Sequence, residues 1–366
     1  MHSTLRLFLA ASILYVLGLV MIFNTSSAEA IDQLLTDTHH ALFKQLSYGI
    51  FGCVLALVCY KIGYKRCFAL CPYAHWACVV LLLCVFIPGL GIAANGARRW
   101  ISVFGVSLQP SEFAKFIAPL YFAYRLERAE KPLSLAGFLQ ILAVSGIPII
   151  LIFLEPNNGT GSVTVMVFSV ICFLAKVPLR YWFIPFACIA LVGGCFALRF
   201  EYVTKRLQVY LHPEMDLKGK GHQPHQAKLA AGSGGLFGKG PGQSLQKLSY
   251  LPEAQNDYIA AIFAEEFGFI GMLALIGIYA WIACMSFSVA IGARELDGMY
   301  LAAIIAFLCS FQAFLNLGVV SGLVPSTGLN LPFFSQGGSS LLANIGALGV
   351  LSSISRSYEN QGQTYA

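Results

Sequence analysis

Residues 244–271 read SLQKLSYLPEAQNDYIAAIFAEEFGFIG. Glu253 and Asp257 stand at the mouth of an apolar run, and Glu265 and Glu266 lie inside it. A carboxylate at membrane depth is costly, so each is a functional candidate by default. The rest of the chain says what kind of scaffold carries them. Of 366 residues, 57% are hydrophobic and only 11% charged, with a mean hydropathy of +0.72. Soluble domains carry about 25% charged residues, so the composition implies a helical membrane protein. Apolar runs near span length support that class, and the short alternating segments of an outer-membrane barrel are absent from the sequence.

Outward from that stretch, spans fall near 5–23, 45–62, 72–92, 110–125, 136–154, 160–176, 180–198, 257–290, 299–320 and 337–355. Lys and Arg set their orientation. With a cytoplasmic N-terminus, the inner segments hold Lys61, Lys65, Arg66, Arg125, Arg128, Lys131, Lys176, Arg180, Arg294 and Arg356. The short outer loops hold only Lys44, Arg98 and Arg99. The expectation is an all-α polytopic membrane protein with ten transmembrane helices and both termini cytoplasmic. It reads as a single domain, 1–366, with one large extracytoplasmic loop, 199–256, between helices 7 and 8. That loop is basic, but long loops escape the charge rule. Ala28-Glu29-Ala30 imitates a leader-cleavage site; the run before it is long and flanked only by Arg6, so it reads as a retained helix.

The eleven cysteines lie mostly in apolar runs and read as small buried hydrophobes rather than a disulfide or zinc framework. His222 and His225 lack a third close ligand. Net charge is +6, but the basic residues are spread over several loops rather than gathered in a stripe, which sets nucleic-acid binding aside.

Four groups could carry chemistry. Glu253, Asp257 and Glu265 would share one helix face if Pro252 opens the helix. Asp257 would then sit near the positive helix end, where a carboxyl at the water boundary can act as a general base; simple capping explains it about equally well. Glu265 and Glu266 need partners, and Lys115 is one buried base available. Ala97–Trp100 reads as a segment lying in the outer interface, where an arginine pair could hold a phosphate. Nearby, Glu112 and Lys115 are spaced to pair. Glu155–Thr160 reads as a turn. Gly322–Ser340 carries no charge and reads as irregular backbone lining a cavity or packed on protein.

Taken in order, Ala97-Arg98-Arg99-Trp100-Ile101, Gln109-Pro110-Ser111-Glu112-Phe113-Ala114-Lys115, Glu155-Pro156-Asn157-Asn158-Gly159-Thr160, Leu251-Pro252-Glu253-Ala254-Gln255-Asn256-Asp257, Ala264-Glu265-Glu266 and Pro325–Phe333 with Gly337-Gly338-Ser339-Ser340 resemble the SEDS family (shape, elongation, division and sporulation). The resemblance covers essentially everything after the first helix. It implies a ten-helix peptidoglycan glycosyltransferase of the bacterial cytoplasmic (inner) membrane. Such an enzyme polymerises lipid II, releases undecaprenyl pyrophosphate with inversion, and works with a class B penicillin-binding protein. It implies Asp257 as the catalytic aspartate with Glu253 beside it. Arg98, Arg99, Lys115, Glu112, Lys239, Lys247 and Ser339 become substrate-binding candidates, and Glu265 and Glu266 structural intramembrane acids. Gln246-Lys247-Leu248 resembles the division branch more than the elongation branch, which adds divisome partners and the septum. Membrane lipid is a further partner; the one cofactor left open is a divalent cation, magnesium or manganese.

Four positions depart from the family pattern. Gln255-Asn256 replace His-Thr, Asn157 replaces an aspartate, and His222 replaces a tyrosine. Two other function classes compete. A lipid II flippase or other transporter would want broken helices meeting at the midplane, whereas the polar residues here gather toward the outer face. A non-catalytic division scaffold draws support from Gln255 and Asn157, and is opposed by the presence of Asp257 with Glu253.

Overall fold

The computed structural model describes residues 2–32, 39–94, 97–103, 106–197, 204, 208, 210, 222–247 and 255–363; Glu253 and most of the large loop's first half lie outside them. The elements are α1 (His2–Asp32), α2 (His40–Ile62), α3 (Tyr64–Val85), β1 (Gly91–Ala94), β2 (Ala97–Val103), β3 (Val106–Leu108), α4 (Pro110–Glu127), α5 (Leu135–Ser145), α6 (Ile147–Leu154), α7 (Asn158–Leu174), α8 (Leu179–Ala197), α9 (His222–Ser233), α10 (Ile259–Gly292), α11 (Leu296–Ser321) and α12 (Gly338–Gln363).

Helix faces follow from residue spacing. On α1, Leu7, Leu14 and Met21 recur every seven residues and are buried, while Leu9, Ile13, Val16 and Val20 are exposed. An apolar stripe facing inward with apolar residues also facing outward marks a lipid-facing helix rather than a soluble amphipathic one. Helices α1, α2, α3, α10, α11 and α12 are long and apolar enough to cross a membrane; α5 with α6 makes a seventh if that pair, bent by 44°, is one span. The chain is a polytopic helical membrane protein, with α11 and α12 the most enclosed of these spans. α12 lies closely along α2 because small residues line the seam: a Cβ on Gly349 would stand 2.3 Å from the Ala56 carbonyl oxygen.

Several expectations change. The fold is not all-α: Gly91–Ala94, Ala97–Val103 and Val106–Leu108 form a three-stranded antiparallel sheet in the order β1-β2-β3. Its β-branched and aromatic residues (Ile92, Trp100, Ile101, Val103, Val106) suit a pleated surface, which competes with extending α3 to residue 92. The span read at 136–154 is two helices. Pro148 cannot donate the backbone hydrogen bond that would continue α5 into α6. The large loop contributes α9, which packs on α10 and α11.

Helix α10 starts at Ile259 rather than Pro252 and is broken at Gly268, whose φ of 67° and ψ of −164° no helix contains. At membrane depth the backbone groups freed by such a break need partners. The glycine-dense run supplies them: Lys239 N and Gly240 N donate to the Glu265 and Glu266 carbonyls at 2.9 and 3.0 Å. In return, Phe269 N and Ile270 N donate to the Gly235 and Leu236 carbonyls at 2.9 and 3.2 Å. The approach demands glycine, since a Cβ on Gly268 would meet Gly238 N at 2.3 Å.

Candidate functional site

The uncharged segment 322–337 crosses the end of the bundle where α10 begins and α11 ends. Gly322 closes α11 in the left-handed conformation, and Phe333 holds a φ of 64°. A non-glycine residue at such a φ persists only where its surroundings enforce it. Here Tyr279 Oη donates to the adjoining Pro332 carbonyl at 2.6 Å, and the Leu331 amide donates to Ser335 Oγ at 2.9 Å.

Asp257 sits under this segment. It belongs to the turn before α10 rather than to a helical turn, so helical spacing does not set it on one face with Glu265; Glu253 lies outside the described residues. Its carbonyl accepts from Asn316 Nδ2 of α11 at 2.9 Å, and the same amide donates to the Leu329 carbonyl at 2.8 Å. Asn316 thereby pins the turn to the segment. Asp257 Oδ2 lies 3.8 Å from where a Gly328 Cβ would stand, so the carboxyl is in van der Waals reach of the segment. The Gln336 amide donates to the Gln255 carbonyl at 2.9 Å, fastening the turn a second time.

α4 enters the same place. Lys115 Nζ donates to Glu112 Oε2 at 2.6 Å and to Gln312 Oε1 at 2.9 Å, and Gln312 Nε2 donates to the Asn330 carbonyl at 2.7 Å. Both charged residues are buried. The spacing-based pairing of Glu112 with Lys115 is present, and Lys115 is therefore not the partner of Glu265 or Glu266. Ser339 Oγ accepts from the Gln109 amide at 2.8 Å, tying the start of α12 to the start of α4.

The 155–158 turn closes the cluster. Asn157 Nδ2 donates to Ser111 Oγ at 3.1 Å, and Gly159 lies so close to the Thr327 carbonyl that a Cβ would stand 2.3 Å from it. Arg99, from β2, donates through Nε to the Glu155 carbonyl at 3.2 Å and through Nη2 to the Pro156 carbonyl at 2.5 Å. Arg98, its neighbour on the strand, is exposed, as alternation along a strand requires. The Glu155 carboxyl is buried, and among the described residues neither oxygen has a hydrogen-bond partner. Burial pushes its pKa up to about 8, and Arg99 opposes that rise.

Glu265 and Glu266 form a separate cluster about 10 Å along α10 from its start. Glu265 accepts from Lys239 Nζ at 2.6 Å, Ser244 Oγ at 2.5 Å, and the Leu245 and Gln246 amides at 3.3 Å each. Glu266 accepts from Asn24 Nδ2 at 2.8 Å on both oxygens, from Lys247 Nζ at 3.2 Å and from the Ser244 amide at 3.4 Å. These acids hold the glycine-rich run in the break of α10, and Lys239 and Lys247 are their counter-ions. Among the described residues, no three His, Cys, Asp or Glu side chains gather as a metal cluster. Glu112, Glu265 and Glu266 are each closed on a lysine.

Gln312, Asn316, Asn330, Gln45 and Asn24 carry much of this architecture and were not singled out by the sequence reading, which weighted charge. Gln312 and Asn316 did leave a signal: two amides four apart on one face of an otherwise apolar run.

The whole chain has counterparts among known proteins. Residues 4–360 match a family model for the FtsW, RodA and SpoVE proteins, described as cell cycle protein. A probable peptidoglycan glycosyltransferase FtsW of Trichlorobacter lovleyi is 37% identical over 92% of this chain and 89% of its own length. Stage V sporulation protein E of Bacillus subtilis is 36% identical over 96% of each chain. Among solved structures, a chain of a peptidoglycan synthase complex that coordinates polymerization and crosslinking superposes with a TM-score of 0.77 at 25% identity, covering 96% of this chain and 97% of that one. The rod shape determining protein RodA of Thermus thermophilus superposes with a TM-score of 0.70 at 26% identity, covering 96% and 95%.

Proposed function

The chain belongs to the FtsW, RodA and SpoVE family of cell cycle proteins, and on that premise we propose that it is a peptidoglycan glycosyltransferase that polymerises lipid II. The observation that carries the reading is the convergence of Asp257, Arg99 and the uncharged 322–337 segment at one end of the bundle. In this reading Asp257 is the general base. It takes the proton of the acceptor's sugar hydroxyl as that oxygen attacks the anomeric carbon of the donor. The carbon–oxygen bond to the diphosphate breaks on the opposite face, and configuration inverts. The departing undecaprenyl pyrophosphate gathers negative charge, which Arg99 and the exposed Arg98 are placed to stabilise. Glu112 with Lys115 and Ser339 build the site rather than grip substrate, because their polar groups are already engaged, and Lys239 and Lys247 belong to the separate Glu265–Glu266 cluster.

The finer assignments rest on the same reading. The chain has ten spans in one domain, both termini are cytoplasmic, and residues 199–256 are extracytoplasmic. A class B penicillin-binding protein is its partner, and divisome proteins at the septum are its setting. One observation favours the transporter alternative: α10 is broken inside the bundle, and α5–α6 is bent. Against it, the backbone groups freed at Gly268 are consumed by residues 235–240 rather than turned to a substrate. The separating experiment reconstitutes the chain in vesicles with labelled lipid II and its cognate penicillin-binding protein. Glycan strands without leaflet exchange are expected; exchange without strands would establish the transporter.

A further inference from the structure

Glu155 is the buried acid that this account leaves unused. Its carboxyl is buried and takes no hydrogen bond from the described residues, and an ionised carboxylate so placed would be uncompensated. Its main chain, however, is occupied. The carbonyls of Glu155 and Pro156 hold the Arg99 guanidinium. Among the described residues of α4, α7 and the 322–337 segment, the polar groups near the turn are quiet or closed. α4 presents Ser111, bonded to Asn157, and the Glu112–Lys115 pair, satisfied internally and by Gln312. The 322–337 segment carries no charged residue, and α7 presents Thr160. Among the described residues, Arg99 is the charged group that acts on the carboxyl.

We propose that Glu155 is a positioning residue that acts through Arg99. While it keeps its proton, the guanidinium rests on the two carbonyls and faces the diphosphate; once ionised, the carboxylate draws the guanidinium inward and away from it. No bond other than O–H changes, and the proton goes to solvent. The inference rests on the glycosyltransferase reading and deepens it, because Arg99 is the group assigned to the leaving diphosphate. It adds an alkaline limit to activity that Asp257 cannot supply, since a general base only improves as pH rises.

The test is the initial rate of labelled lipid II polymerisation by the full chain with its cognate class B penicillin-binding protein, each variant scaled to its own rate at neutral pH. Wild type is expected to lose activity above about pH 8, approaching tenfold per pH unit as a single ionisation requires. Glu155→Gln, neutral at every pH, should lose that limb, and Glu155→Asp should restore one. Arg99→Ala, slower throughout, should also lose the limb, which keeps the proposal testable if Glu155→Gln fails to fold. A limb unmoved in Glu155→Gln or in Arg99→Ala, beside an active wild type, overturns the inference alone. No polymer from wild type at neutral pH overturns the glycosyltransferase reading and this inference with it.

Discussion

Replacing Lys115 with methionine would leave Glu112 as a buried, unpaired carboxylate beside Gln312. Breaking such a pair costs about 3–5 kcal/mol, whereas removing both charges costs far less. Thermal unfolding in detergent should therefore show Lys115→Met well below wild type and the Glu112→Gln/Lys115→Met double variant partly recovered. Equal losses in the two would mean that the pair is not coupled. Glu155 gives a pH-dependent counterpart. The unfolded chain releases this proton at the ordinary carboxylate value of 4.5, while the folded protein keeps it to about 8. The folded state thus binds the extra proton between those values, and stability falls as pH rises through them. Glu155→Gln should unfold at the wild-type temperature at the acid end of that window and several degrees higher at the alkaline end. A difference that does not grow with pH would contradict the assignment. At this scale the charged residues were legible in the sequence because charge in an apolar chain is conspicuous. The amides were fainter: Gln312 and Asn316 show only as two polar side chains four apart in an apolar run, and that spacing does not say what they bond.

Among the elements, α10 departs furthest from its sequence. A 34-residue apolar run reads as one helix, and periodicity cannot report a break that a distant loop repairs. The clues lay apart, in Gly268 and in the glycines of 234–240, and only the exchange of four backbone hydrogen bonds joins them. Gly268→Ala forces both a disfavoured φ and a collision with Gly238, so the 234–247 run should leave the break. Limited trypsin digestion should then cut after Lys239 and Lys247 at doses that spare wild type; equal resistance would show that the glycine contact does not hold the run. Strands β1–β3 were missed for a related reason. Short strands at a bundle's end are stabilised by pairing, which local pattern does not encode. The long spans α1, α2, α3, α11 and α12 were recoverable because a membrane demands about 20 apolar residues whatever their neighbours.

For the molecule as a whole, membrane embedding concentrates polar chemistry at one end of the bundle. Asp257, Arg99, Glu155 and segment 322–337 meet there, while the opposite end carries the exposed Lys65–Glu295 pair at 2.7 Å. In the proposed glycosyltransferase reading, this uncharged backbone sets a base, Asp257, on one side of a lipid-linked diphosphate sugar and a cation, Arg99, on the other. Arg99→Ala should raise KM for lipid II several-fold with little change in unfolding temperature; a stability loss with unchanged kinetics would return Arg99 to an anchoring role. The most direct test of the account is polymerisation of labelled lipid II by the purified chain with its cognate class B penicillin-binding protein, wild type beside Asp257→Asn. Glycan strands from wild type and none from a folded, partner-bound Asp257→Asn protein are the predicted result, and strands of equal yield from both would contradict the assignment of Asp257 as the base.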